Sequence, residues 1–200
     1  MGNIVIRFAE LIYKFVALNL IWLLFFLMGL GVFGFMPATV ALFSVVRQWI
    51  KGEKELELFK MFFSYYKEVF FRSNALWLIF ISIFYIIYVN FSFVSFYYRA
   101  EVQFYIYMMI AFIAIIVISM FINVFSLIAH FEYKLLQYLK VALGMVFFRP
   151  LNSLMQLLWL CVYLIIAINW PTIFMVLGVS CFAFILMALN YQTFLKYTPS

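Results

Sequence analysis

A chain of 200 residues that is 70% hydrophobic, only 10% charged and of mean hydropathy +1.17 cannot be a water-soluble domain. Soluble folds of this size are about half apolar and about a quarter charged, so the solvent here is partly lipid. The net charge of +6 does not signal a nucleic-acid surface, because the basic residues form no patch and lie between apolar runs, as the positive-inside rule places them.

Arg7 and Lys14 precede the first apolar run, which is too long for a signal core of about 7–15 residues and reads as a retained anchor. Residues 15–46 contain no charge. As one helix they would measure roughly 48 Å, against a hydrocarbon core of ~30 Å. Gly29, Gly31, Gly34 and Pro37 supply the break, and Pro37 suits the first turn of a new helix. Two arrangements follow. Either the chain turns near residues 31–36 and recrosses, ending at Arg47 and Trp49, or residues 37–50 lie on the cytoplasmic face.

The stretch "GEKELELFKMFFSYYKEVFFR", residues 52–72, places Leu56, Phe59, Phe63, Tyr66 and Phe70 at steps of three or four. This predicts an amphipathic helix that lies on the inner membrane surface, caps the bundle or docks a cytoplasmic partner. Four further spans are expected near residues 73–96, 104–129, 151–170 and 172–191. Tyr97, Tyr98, Tyr105 and Tyr107 form an interface belt beside Arg99 and Glu101, and Trp170-Pro171 marks a tight turn. Strands are excluded, because alternation is absent and a bilayer admits only helices or closed barrels. With six spans, Arg7, Lys14, Arg47, Lys51, Lys54, Lys60, Lys67, Arg72, Lys134, Lys140, Arg149 and Lys196 fall inside and only Arg99 outside. With five, Arg7 and Lys14 move outside. The expected fold is therefore an all-α polytopic bundle of six transmembrane helices, five being the alternative, in one membrane domain over 1–200.

Val69-Phe70-Phe71-Arg72 recurs as Val146-Phe147-Phe148-Arg149, each time after a polar helical stretch and before a span. This suggests parallel internal repeats over about 37–95 and 104–169.

Ser119, Asn123, Ser126 and His130, at steps of four, three and four, share one face of the fourth span. Asn19 in the first span, Gln156 in the fifth, and Ser180 and Asn190 in the sixth are facing partners for it. Such residues are either interhelical glue or the lining of a solute path. Chemistry is short of parts: one histidine, no aspartate, and no HExxH, GxSxG or P-loop. No catalytic residues, metal ligands or cofactor are expected, nor an enzyme. Cys161 and Cys181, inside apolar runs and without CxxC spacing, read as buried small hydrophobes. His130 reads as a solvated interfacial residue.

Asn19-x-x-Trp22, then Pro37-Ala38-Thr39-x-Ala41-Leu42, then Phe62-Phe63-x-x-Tyr66-Lys67-Glu68-x-Phe70 and Trp77 together resemble the YesL-like family of uncharacterised bacterial integral membrane proteins. The resemblance covers residues 15–90. It departs from the family where Phe35-Met36 separate Gly34 from Pro37, and where Val69 replaces a common asparagine. It implies a multi-pass protein of the bacterial plasma membrane, often encoded beside carbohydrate-uptake genes. It transfers no catalytic residues. The partners implied are the lipid bilayer and subunits of a sugar importer, with a homo-oligomer compatible. The expected role is an accessory to carbohydrate uptake, and the alternative is a small-solute permease or channel using the polar face of the fourth span.

Overall fold

The computed structural model describes residues 2–53 and 57–195; Lys54, Leu56, Lys196 and the side chain of Arg7 lie outside its description. Among the described residues every regular element is a helix. They are α1 (Gly2–Met28), α2 (Val32–Lys51), α3 (Leu58–Tyr97), α4 (Ala100–His130), α5 (Leu135–Phe148), α6 (Pro150–Asn169) and α7 (Pro171–Phe194). All except α5 are long and apolar enough to cross a membrane, so the expected six are present. Tyr98 and Arg99 join α3 to α4, and Trp170 alone joins α6 to α7, close to the expected boundaries.

The break in the first apolar run falls earlier than Pro37. Gly31 N–H bonds the Phe26 carbonyl and Leu30 N–H bonds the Leu27 carbonyl, each at 3.0 Å, a Schellman-type ending for α1. Leu30 takes the left-handed position (φ 56°) where glycine is usual. Gly31 follows at φ 73°, ψ −74°, and Val32 N–H closes a γ-turn onto the Leu30 carbonyl at 2.9 Å. Gly29 and Gly34 serve close approach instead. A Cβ on Gly34 would strike the Phe26 carbonyl oxygen, and one on Gly29 would strike Gly34 Cα and lie 2.8 Å from Tyr66 Oη. Three glycines thus make an α-hairpin whose two backbones touch.

Pro37 is not the start of α2 but its sixth residue, inside the second turn. Lacking an N–H, it releases only the carbonyl of Phe33, near the helix end. Every residue from Met36 to Val46 is buried, and α2 packs on α1, α3, α4 and α7. A helix buried all round is a central one. Its polar members suit that place, because Thr39 and Ser44 hydroxyls bond back to the Phe35 and Val40 carbonyls at 2.7 and 2.9 Å.

The surface helix expected before residue 73 is instead continuous with the third span. Phe62, Tyr66, Val69, Ser73, Leu76 and Phe80 form one buried seam at steps of four and three, which nothing interrupts. Phe59 and Phe63 of the expected face stay exposed, so the true face is rotated from it. The stretch packs on the bundle: the Phe25 ring of α1 lies 5.0–5.8 Å from the rings of Phe59, Phe62, Phe63 and Tyr66.

The second VFFR copy behaves differently. Arg149 leaves helical geometry (φ −135°, ψ 61°) and Pro150 opens α6. Proline pushes its predecessor out of the α region, whereas Ser73 after the first copy continues the helix, its hydroxyl bonded to the Val69 carbonyl at 2.6 Å. Helix α5 is therefore separate. It is anchored by buried Tyr138, whose Oη donates to the Phe131 carbonyl (2.7 Å) and accepts from Tyr133 N–H (3.0 Å). Burial pushes the Tyr138 phenol up, keeping it a neutral donor. Cys161, expected inside, is exposed, and Cys181 is half-buried. An apolar run in a membrane-type helix has an outward face as apolar as its inward one, so sequence alone does not distinguish them.

Candidate functional site

The polar face of α4 meets carboxamides from two other helices in a buried cluster. Asn190 of α7 is its hub. Asn190 Nδ2 donates to Asn123 Oδ1 (3.2 Å) and Ser126 Oγ (3.0 Å), while Asn190 Oδ1 accepts from Gln156 Nε2 (2.7 Å) and Asn152 Nδ2 (3.0 Å). Gln156 Nε2 also donates to Asn123 Oδ1 at 3.1 Å, and Asn123 Nδ2 donates to the Ser119 carbonyl at 3.0 Å. Asn123, Ser126, Gln156 and Asn190 are all at most 1% exposed. The cluster ties α4, α6 and α7 together. Its groups are neutral, and Asn190 has used both its donors and both its lone-pair positions. Gln156 Oε1 is the buried atom of this group left without a partner.

The predicted residues divide between two places. Asn123, Ser126, Gln156 and Asn190 meet as expected. The Ser119 hydroxyl bonds back to the Ile115 carbonyl at 2.9 Å and contributes only its backbone oxygen. Asn19 and Ser180 form a separate clamp: Asn19 Oδ1 accepts from Ser180 N–H (3.2 Å) and Asn19 Nδ2 donates to the Met175 carbonyl. Residues Phe174–Gly178 are π-helical, and the Asn19 amide bridges backbone groups at this irregularity, where the regular ladder changes register. Ser180 Oγ adds a bond to the Phe15 carbonyl at 3.0 Å. Asn152 joins the cluster through Asn190 without a place in the expected set. Its spacing of four from Gln156 is the signal that puts both on one face of α6.

The motif residues are packing groups of the first three helices. Trp22 Nε1 donates to Thr39 Oγ1 at 3.2 Å, and Pro37 and Ala38 are buried beside it. Phe62 is fully buried, and Phe70 lies 5.6 Å from the Tyr66 ring. Trp77 packs on Phe35 and Phe121 at 5.3 and 5.6 Å. Phe63 and Lys67 face outward, with the ammonium 5.1 Å from the ring centroid.

His130 is not solvated as expected. It is half-buried among the rings of Phe131, Phe194 and Tyr191 at 4.6, 4.9 and 5.7 Å. Among the described residues no three His, Cys, Asp or Glu side chains gather as metal ligands would.

Comparison with known proteins agrees with this picture of a motif-bearing first half. Residues 15–91 match the family model described as a protein of unknown function, DUF624, and every motif residue named above lies within them. The chain is 36% identical over 193 residues to the uncharacterised protein YteU of Bacillus subtilis (strain 168), covering 96% of this chain and 85% of that one. It is 29% identical over 190 residues to YesV and to YesL of the same organism, both uncharacterised, covering 94% of this chain and 89% and 88% of theirs. No solved structure matches it. The chain belongs to the DUF624 family of proteins of unknown function.

Proposed function

We propose that the chain is a multi-pass protein of the bacterial plasma membrane with both termini cytoplasmic, acting as a non-enzymatic accessory component of carbohydrate uptake. The observation that carries the non-catalytic part is the closed state of its polar interior. The side chains best placed to line a path or bind a solute bond one another, at most 1% exposed, and so act as interhelical glue. The link to carbohydrate uptake rests on the family resemblance and its frequent gene neighbourhood. Affinity capture from native membranes should recover subunits of a sugar importer. Recovery of none, from cells that express that importer, would remove this reading.

A second reading, a small-solute permease, draws on one atom. Gln156 Oε1 is a buried acceptor with no donor, at the centre of the α4–α6–α7 cluster. If the cluster opens to a solute, reconstituted vesicles should show flux that Asn123→Leu reduces. Unchanged flux in that variant would detach the α4 face from transport.

A further inference from the structure

A second polar feature lies away from the carboxamide cluster. Where α2 ends, α3 passes and α4 terminates, the helices form a partly open cavity of about 80 Å³ lined by residues that include Arg47, Tyr65, Glu68, Arg72, His130 and Glu132. Three buried nitrogens of these residues have no hydrogen-bond partner: Arg47 Nε, Arg72 Nε and His130 Nδ1. A buried polar group left unpaired is costly, and more so when charged. The ion pairs among the described residues are Lys14–Glu10 and Lys60–Glu57, so neither guanidinium is paired with Glu68 or Glu132. The Tyr65 hydroxyl already accepts from Gln48 Nε2 at 2.9 Å, which leaves its own proton to be given elsewhere. The lining thus brings together two guanidinium groups without an ion-pair partner, the Tyr65 hydroxyl and the His130 ring, against the carboxylates of Glu68 and Glu132.

We propose that the cavity is a binding site for a single phosphate-sized oxyanion, held between the guanidinium groups of Arg47 and Arg72. The Tyr65 hydroxyl and the His130 ring complete the donor set. Guanidinium groups suit this task, because their planar N–H forks match the oxygens of a phosphate. Size restricts the ligand. At about 80 Å³ and partly open, the cavity has room for one tetrahedral anionic group, whose substituents would lie outside it. Glu68 and Glu132 are exposed and oppose the anion, so they weaken the site and give it an electrostatic signature. The anion is either dissolved phosphate or the phosphodiester of an anionic phospholipid.

Two arms of one experiment separate these sources. The full chain, purified in phosphate-free detergent, is titrated with inorganic phosphate at constant ionic strength while thermal unfolding is followed. In parallel, protein extracted from mixed phosphatidylglycerol and phosphatidylcholine bilayers is scored for retained lipid by native mass spectrometry. Stabilisation by phosphate that weakens roughly ten- to hundredfold in Arg47→Gln or Arg72→Gln assigns the site to dissolved anion. Selective retention of phosphatidylglycerol, lost in the same variants, assigns it to lipid. Glu68→Gln keeps both guanidinium groups and guards against misfolding of the arginine variants. It should bind either probe several-fold more tightly, since a repelling charge is removed. No response to either probe in the folded wild type, or no tightening in Glu68→Gln, would overturn the proposal.

Discussion

Asn190 reaches four side chains on two other helices, and Ser119, on the same polar face of α4, reaches only its own helix. Their substitution should differ accordingly. Asn190→Leu strands Ser126 and Asn152 and leaves Asn123 and Gln156 only one interhelical bond, the one to each other. At about 0.6–2 kcal/mol per interhelical bond, and with the bonds not additive, it should cost roughly 2–3 kcal/mol. Ser119→Ala removes one local back-bond and should cost under about 0.5 kcal/mol. Unfolding in mixed micelles by titrated denaturing detergent measures both. Equal effects would mean that the cluster is not a unit. Leu30 offers the opposite sign. Its left-handed backbone costs an L-residue about 1–2 kcal/mol, its side chain is 84% exposed, and glycine's extra unfolded-state freedom returns about 0.5–1 kcal/mol of that. Leu30→Gly should therefore stabilise the hairpin by about 0.5–1 kcal/mol in the same assay. The α4 face was legible from spacing alone, since steps of three and four fix a helix face. Asn190 was legible only as one of two candidates on α7, because whether it or Ser180 meets that face depends on how three helices pack.

At the scale of elements, the two VFFR copies show one residue deciding whether a helix continues. Arg72 is followed by Ser73 within α3, and Arg149 by Pro150 at a break. Ser73→Pro should reproduce the second junction at the first. It removes a ladder N–H and sets a ring against the Val69 carbonyl, which also accepts the serine hydroxyl. A loss of about 3 kcal/mol or more is expected, together with reduced helical circular dichroism. Full retention of stability would mean that α3 already tolerates a joint there. The same contrast explains what was readable. Pro150 announces its break, because proline and its effect on the preceding residue are local. The continuity of α3 was hidden, because charges early in the 52–72 stretch suggested a separate surface helix. What overrides them is a seam from Phe62 to Phe80 whose partners, such as Phe25, come from elsewhere in the chain. Pro37 misled for a related reason. Gly29–Gly31 had already turned the chain, and proline was tolerated five residues into the new helix.

For the whole molecule, the number of helices able to cross a membrane followed from length and hydropathy, but their direction rests on charge. Twelve of the thirteen basic residues fall on one side of a six-crossing arrangement and only Arg99 on the other. That arrangement puts the Gly29–Gly31 turn outside and the segment bearing Lys67, Glu68 and Arg72 inside. One contact resists it. A Cβ on Gly29 would lie 2.8 Å from Tyr66 Oη, so the turn is within one tyrosine's length of the residue preceding Lys67. In the five-crossing alternative the N-terminus is outside, α1 descends to the inner face, and turn and basic segment meet there without strain. Leu30, at 84% exposed, is the residue on which the two arrangements disagree. With Cys161 and Cys181 replaced by serine, Leu30→Cys should react with a membrane-impermeant thiol reagent in intact cells, and an N-terminal reporter should be active only in the cytoplasm. Charge bias sets this expectation, since the five-crossing arrangement carries Arg7 and Lys14 to the outside. Labelling only after permeabilisation, with an N-terminal reporter active outside, would invert α1 and put the α1–α2 turn on the inner face.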